Sequence, residues 1–523
     1  MSEARWDRST GTAAEATSRA SPTEGEVLDV LIVGAGISGI DAAYHLQTMC
    51  PDKRFALLEN QSAFGGTWRT HRYPGIRSDS DLYTFGYRWK PWMGAPIATA
   101  EEILKYLDEV LDEQDLRRHI RYRTAVVAAS WSSAEQCWTV TALDRNTDRE
   151  LTYRARFLWM CQGYYRHEQG YTPQWPGMAE FRGRIVHPQT WPEDLDYSGQ
   201  KVLVIGSGAT AATVVPAMAG QAAHVTMLQR SPTYFSAAPN RNEMADTLRA
   251  LDVPDEWVHE ITRRKILHDQ QEITRRSFEE PQVLKEELFA AAREYLGQDY
   301  DMSTHFEPDY RPWQQRLAFL PDGDLFVKLA DGSASVVTDE IDRFVPEGVK
   351  LQSGRVLEAD LIVTATGFDL SVLGDIPFTV DEVPVDFADT VTWRGMMFSG
   401  VPNMAWVFGY FRASWTLRAD LISDLLCRMF TQMDAAGEGV VTPQLRPEDE
   451  SLPRLPWIDG ENFNPGYLTR SLHLLPKQLD AGAWRFSQDY WSEKDEFPAA
   501  DLRDGTLRYD AALPAPQRAA ARD

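Results

Sequence analysis

The stretch VLDVLIVGAGISGIDAAYHL, Val27 to Leu46, decides the fold of this chain. Val27 to Val33 is a short, mostly apolar run of the kind that forms a buried parallel strand. The turn GAGISG follows, with Gly34, Gly36 and Gly39 in GxGxxG spacing, and a helical stretch runs on from Ile37 to about Met49. A second strand, RFALLEN, ends near Glu59, which completes a βαβ unit. The first glycine permits the tight turn and the second lets backbone approach a pyrophosphate. The third lets the helix pack on the strand, so that the helix N-terminus faces the phosphates. Glu59 stands 20 residues past Gly39, where its carboxylate is placed to accept from ribose hydroxyls.

The same order recurs from Lys201: strand KVLVIG, a turn with Gly206, Gly208 and Ala211 as GxGxxA, a helix through Met218, and strand HVTML. Thr210 belongs to this second turn. After HVTML come Gln229, Arg230 and Ser231, where the first unit carries Glu59. An acid there would repel a 2′-phosphate, whereas a guanidinium pairs with it and Ser231 adds a donor. This half therefore reads as NADPH-binding. Two such units predict an α/β protein with two doubly wound, Rossmann-like dinucleotide-binding domains.

Between Asn240 and Gly297 the chain becomes charged and helical in period, with Glu260/Arg264 and Glu272/Arg276 at i,i+4 spacing. We read a helical insertion whose interleaved acids make a solvated face rather than a membrane-surface one. Strand signals resume near Ser335–Val337 and at DLIVTATG, and an amphipathic helix is expected near Asp420–Met433. The expected organisation is a disordered tail at 1–25, the first dinucleotide domain at 26–167, and the second at 178–239. The helical insertion follows at 240–305, then a return to the second domain at 306–364 and to the first at 365–523.

The chain has 523 residues and a net charge of −24, from 53 basic and 77 acidic residues. A nucleic-acid partner needs a basic face, which this balance argues against. No apolar run approaches the roughly 18 residues of a membrane helix, so no integral membrane segment is expected. The first 25 residues lack an apolar core and do not read as a signal peptide. Cys50, Cys137, Cys161 and Cys427 are scattered, with no CxxC and no metal spacing. They point to a reducing cytoplasm and remove the dithiol that a flavin disulfide reductase would need.

Three further segments narrow the reaction: GGTWRTHRYPGIRSD (Gly65–Asp79), FRGRIVHPQTW (Phe181–Trp191) and ATGFD (Ala365–Asp369). With both glycine-rich turns, these resemble the class B flavoprotein monooxygenases, and within them the type I Baeyer–Villiger monooxygenases. Phe181, Gly183, His187 and Trp191 fit the family fingerprint FxGxxxHxxxW. Gly65, Gly66, Trp68, Tyr73, Pro74, Gly75 and Asp79 fit the second signature, GGxWxxxxYPGxxxD. The strings YPGIRSDSDLYTFGYRWKPW and PWQQRLAFLPDGDLF look closest to the ethionamide-activating subgroup.

The resemblance implies FAD on the first unit, with Gly66, Thr67, Trp68 and Gly367 beside it, and NADPH on the second. It also implies O2 as co-substrate and a small apolar ketone or thioether as substrate. The family places an essential arginine, from a K-R dipeptide, beside the flavin. Here that pair is Gln315–Arg316, so Arg316 takes the role and the lysine is missing. Asp79 matches the aspartate that pairs with it, and His187 is implied to be structural, at the domain linker. The aromatic residues Trp89, Trp92, Tyr310, Trp313 and Trp415 are candidates for an apolar substrate wall. A heteroatom oxygenase making sulfoxides or N-oxides, and a non-catalytic dinucleotide sensor, are the competing readings. The oligomeric state is left open.

Overall fold

Apolar strands that each end in a glycine-started helix can bury both faces only in a parallel sheet covered by helices. The computed structural model describes residues 26–514, so the tail expected at 1–25 lies outside the described residues. Val27–Val33 sits inside a nine-stranded sheet. Phe55–Leu58 flanks it in parallel on one side, with Val33 beside Leu58, and Arg149–Met160 on the other, with Val33 beside Met160. An antiparallel meander of Thr124–Ser132, Cys137–Asp144 and Arg149–Met160 extends the sheet. Met404–Trp406, from far along the chain, adds in parallel to Arg149–Met160.

The second sheet has five strands, all parallel, in the order Ala334–Thr338, His224–Gln229, Lys201–Ile205, Leu361–Thr364, Arg184–Val186. The architecture is thus α/β, with two Rossmann-like sheets. The helix Ile37–Met49 packs against Trp415–Ala436, which ends on left-handed Gly437 and is longer than its apolar period alone suggests. Ile40, Leu46, Ile422 and Leu426 are fully buried in the resulting core.

Between the sheets' strands come the helices Glu243–Ala250, Asp255–Glu279, Pro281–Leu296 and Met302–His305. Arg264 donates to Glu260 at 2.6 Å, as its spacing suggests. Glu272 and Arg276 do not pair. Glu272 accepts from Arg275, while Arg276, only 19% exposed, turns to Glu287 of the next helix at 2.6 Å. Tertiary packing of the two helices outweighs the local spacing. Among the described residues no helix is long and apolar enough to cross a membrane. All four cysteines are free and buried.

Candidate functional site

Both glycine-rich turns open onto one cavity of about 1300 Å³ at the carboxyl ends of the two sheets. Ligands of open α/β sheets bind at that edge, where strands deliver their loops. Gly34, Gly36, Glu59, Gly66, Thr67 and Trp68 line it from the first unit. Gly206, Gly208, Thr210, Arg230 and Ser231 line it from the second, and Asp79, Arg316, Gly367 and Trp415 complete the wall.

The first turn is closed tightly. A Cβ on Gly39 would stand 1.9 Å from the Gly34 carbonyl oxygen, and Gly34 itself has φ +103°. Gly36 and Gly66 face each other, and a Cβ on Gly66 would lie 3.2 Å from the Gly36 Cα. The Glu59 carboxylate accepts from the Ala35 N–H and the Gln61 N–H, both at 2.8 Å. It therefore pins the turn while still fronting the cavity. These are the dimensions of a cradle for a backbone-bound pyrophosphate, with an acid at the ribose end.

The second turn is looser. Gly206, with φ +130°, abuts the Ala365 carbonyl, but nothing stands within 4 Å of a Cβ on Gly208, and the third position is the buried Ala211. The Gly34 N–H bonds the Leu58 carbonyl and the Gly206 N–H bonds the Leu228 carbonyl, so Gln229 is the register equivalent of Glu59. Gln229 turns away, donating to the His305 carbonyl and Thr338 Oγ1. Arg230 and Ser231 follow it, exposed on the cavity rim.

Arg316 grips Asp79 with both arms, Nε to Oδ2 at 2.8 Å and Nη2 to Oδ1 at 2.7 Å. Nη2 also donates to Ser80 Oγ at 3.3 Å, and Nη1 to the Phe411 carbonyl at 2.7 Å. These bonds leave one of the five guanidinium protons for the cavity. Burial works against the charge of Arg316, but the Asp79 carboxylate outweighs it and holds the guanidinium above its ordinary range.

The fingerprint residues lie elsewhere. Phe181, Gly183, His187 and Trp191 do not line the cavity. A Cβ on Gly183 would collide with the Asp360 carbonyl at 2.2 Å. His187 Nδ1 accepts from the Gln189 N–H, and a Cβ on Gly170 would meet its ring at 1.8 Å. Burial pushes the imidazole below its usual pKa. His187 thus presses on the segment that crosses between the sheets.

Four of the five aromatic candidates are corrected. Trp89 stacks between Tyr44 and Tyr87, Trp92 is core, Tyr310 meets Tyr234 edge-on, and Trp313 packs against the second core. Only Trp415 faces the cavity, stacked on Tyr164 at 5.2 Å. The walls that sequence reasoning missed are Tyr164, Tyr165, Phe368 and Tyr467, with Tyr165 and Phe368 stacked at 4.5 Å. A signal was present, because Tyr164 and Tyr165 lie in the loop just past Met160, the carboxyl end of a strand that runs parallel to Val27–Val33. Arg470 was missed too. It lies on the cavity wall over the Tyr171 ring at 3.5 Å, close enough to Arg230 for the two charges to repel.

Two nucleotide cradles on one cavity, with a fixed guanidinium between them, define a flavoprotein that also takes a nicotinamide dinucleotide. A family model described as flavin-binding monooxygenase-like matches residues 96–240, and one described as an NAD(P)-binding Rossmann-like domain matches 32–93. Over 493 residues the chain is 44% identical to the FAD-containing monooxygenase EthA of Mycobacterium tuberculosis (strain ATCC 25618 / H37Rv). That match covers 94% of this chain and 99% of the relative. Two solved structures share the fold at 22% identity. One is an oxidized steroid monooxygenase bound to NADP, with a TM-score of 0.71 over 93% of this chain and all of that one. The other is OTEMO in complex with FAD and NADP, with a TM-score of 0.65 over 82% and 88%.

The chain belongs to the EthA family of FAD-containing monooxygenases. It is an FAD-dependent oxidoreductase with an NAD(P)-binding Rossmann-like domain.

Proposed function

We propose that the protein inserts one oxygen atom from O2 beside a ketone carbonyl, giving an ester or lactone, and oxidises thioethers as a side activity. The bidentate Asp79–Arg316 pair on the cavity wall between the two cradles carries this reading. Bound FAD, reduced by NADPH, supplies the activation of O2.

The chain's residues do the rest. In this reading Gly34, Gly36, Gly39 and Gly66 admit the FAD pyrophosphate, Glu59 takes its ribose, and Thr67, Trp68 and Gly367 border the ring. Gly206, Gly208, Thr210 and Ala211 form the NADPH turn, and Arg230 and Ser231 read the 2′-phosphate. Arg470, beside Arg230, supplies the second cation that Gln315 cannot. Arg316 keeps its proton at all working pH values, so its positive charge is fixed where an oxyanion develops on the substrate carbonyl. Asp79 fixes the plane of that guanidinium. Tyr164, Phe368, Tyr467 and Trp415 present apolar faces that exclude water and suit a small apolar ketone. Phe181, Gly183, His187 and Trp191 hold the crossing segment between the sheets. The division at 26–167, 178–239, 240–305, 306–364 and 365–523 belongs to the same proposal, and the four free thiols fit a cytoplasmic setting.

The test is turnover of linear and cyclic ketones under isotopically labelled O2, with label followed into the products. Labelled esters or lactones are expected. Label confined to sulfoxides, with every ketone recovered, would assign the protein to heteroatom oxidation instead.

A further inference from the structure

Asp41 and His45 stand one turn apart on the helix Ile37–Met49, and Asp420 and Asp424 one turn apart on the helix Trp415–Ala436. The two helices pack together, and both pairs meet in the joint between them. One donor atom from each of Asp41, His45 and Asp420 lies within 4.8 Å of the others, and all three residues are buried. None of the four lines the large cavity, so they stand apart from the dinucleotide site.

The His45 Nδ1 lies 2.9 Å from the Asp41 backbone carbonyl. A carbonyl oxygen can only accept, so Nδ1 carries the proton and Nε2 keeps its lone pair. Nε2 faces Asp424 Oδ1 at 3.4 Å and Asp420 Oδ1 at 3.7 Å. Two ligands about 2.1 Å from a tetrahedral ion are about 3.4 Å apart, so these spacings suit a shared cation.

Asp420 is only 4% exposed, and neither of its carboxylate oxygens has a hydrogen-bond partner among the described residues. The cations near it stand back, with His45 Nε2 at 3.7 Å and Arg88 Nε at 3.9 Å. A buried carboxylate left in that state is costly. Its neighbours, by contrast, are held in place. Asp41 accepts from Ser423 Oγ at 2.8 Å and from Trp89 Nε1 at 3.3 Å, and Asp424 accepts from Arg88 at 3.0 Å. Outer bonds of this kind orient the carboxylates that ligate metals.

With His45 neutral, three carboxylates face the one guanidinium of Arg88, which leaves two negative charges. One divalent cation cancels them, and so do two protons. The protons are the rival occupants: burial raises the Asp41 carboxyl against the pull of His45, while Asp41 and the acids beside it outweigh burial and raise the His45 imidazole.

We propose that Asp41, His45 and Asp420, with Asp424 on the solvent side, bind one zinc or manganese ion that ties the helix of the first glycine-rich turn to the helix Trp415–Ala436. Metal sites between packed helices are built from facing side chains one turn apart. An imidazole nitrogen among carboxylate oxygens suits these two ions better than calcium or magnesium. Asp424 and Arg88 are part-exposed and give the ion a way in.

The test uses the untagged, FAD-loaded enzyme from cells grown with zinc and manganese salts, and counts metal per chain by plasma mass spectrometry. One ion per chain is expected. After chelation, ZnCl2 or MnCl2 is returned, and binding is followed by calorimetry and by the rise in Tm. Asp420→Asn keeps the side-chain shape and should weaken binding by more than roughly 10- to 100-fold, the range for losing merely an outer partner. Asp424→Asn, at the part-exposed edge, should weaken it less, and decides the matter if Asp420→Asn does not fold.

A wild type that neither carries nor takes up either ion would overturn the site and leave two protons as its occupants. Metal held as tightly by the folded Asn variants as by wild type would place the ion elsewhere, which also overturns it.

Discussion

The two glycine-rich turns repeat one βαβ plan and differ in how firmly they are closed. In the first, the third glycine leaves no room for a Cβ, and Glu59 reaches back to the Ala35 N–H while accepting from Gln61. In the second, Ala211 takes the third place, a Cβ on Gly208 meets nothing, and the register equivalent Gln229 faces away. Arg230 and Ser231 are left exposed, with no hydrogen bond or ion pair to the described protein. A resident cofactor needs a preorganised, closed cradle. A cosubstrate that comes and goes needs a rim whose charges stay free until it arrives.

The sharpest way to break that contrast is at the glycines. Gly39→Ala should cost stability at or above the upper end of the roughly 1–3 kcal/mol typical of overpacking, since its Cβ would meet backbone at 1.9 Å. Gly36→Ala should behave differently. Its Cβ would sit 3.6 Å from the Gly66 Cα, so the protein tolerates it while a pyrophosphate does not. The apoprotein should melt like wild type yet fail to hold flavin, as read by calorimetry and flavin absorbance. A yellow Gly36→Ala enzyme would show that the first turn does not carry FAD.

Arg316 belongs to neither turn; it joins the segment that follows the first unit to the return from the second. Arg316→Ala should cut oxygenated product by about 10²–10³-fold while flavin reduction by NADPH survives, measured by stopped-flow bleaching beside product analysis. Arg316→Lys keeps a charge but not the two-armed grip on Asp79, and should recover only part of the loss.

Next in size is the second turn's rim. Arg230→Ala should reduce the preference for NADPH over NADH by roughly 10- to 150-fold, from the about 1.5–3 kcal/mol of a charged hydrogen bond. An unchanged coenzyme ratio would move phosphate reading to Arg470, and the double substitution would then carry the effect.

Local features of the site were legible and convergent ones were not. Gly34, Gly36, Gly39 and Glu59 sit within one βαβ unit, so spacing alone places them on a common edge. Arg316 and Asp79 are 237 residues apart and meet only because a loop after the first unit faces the return from the second. Nothing local marks Arg316, and the family resemblance supplied it. The aromatic wall failed for the same reason. Trp89 and Trp92 look like a pocket in sequence but pack into the first core, while Phe368, inside ATGFD, and Tyr467, in no motif, arrive from segments about a hundred residues apart. The Glu272/Arg276 spacing was readable but was overridden by the neighbouring helix.

The smallest effect tests whether the rim acts through charge alone. The Ser231 hydroxyl lies beside Arg230 on the cavity wall and has no bond within the described protein, so it is free to donate to a phosphate oxygen. As an exposed neutral donor it should be worth about 0.5–1.5 kcal/mol, or roughly 2- to 12-fold in NADPH affinity, with NADH unaffected. Salt separates the two residues. The contribution of Arg230 should fall as ionic strength rises, because both partners face solvent and screening at 0.1 M already acts over about 10 Å. The Ser231→Ala effect should hold nearly constant across the same series, since a short hydroxyl bond owes little to long-range charge. A double-mutant cycle completes the argument: neighbours on one phosphate should be coupled, so the paired loss should differ from the sum of the single ones by about 0.5 kcal/mol or more. Strict additivity, with a Ser231→Ala effect that fades in salt alongside Arg230→Ala, would mean that the second turn reads the phosphate as a diffuse charge.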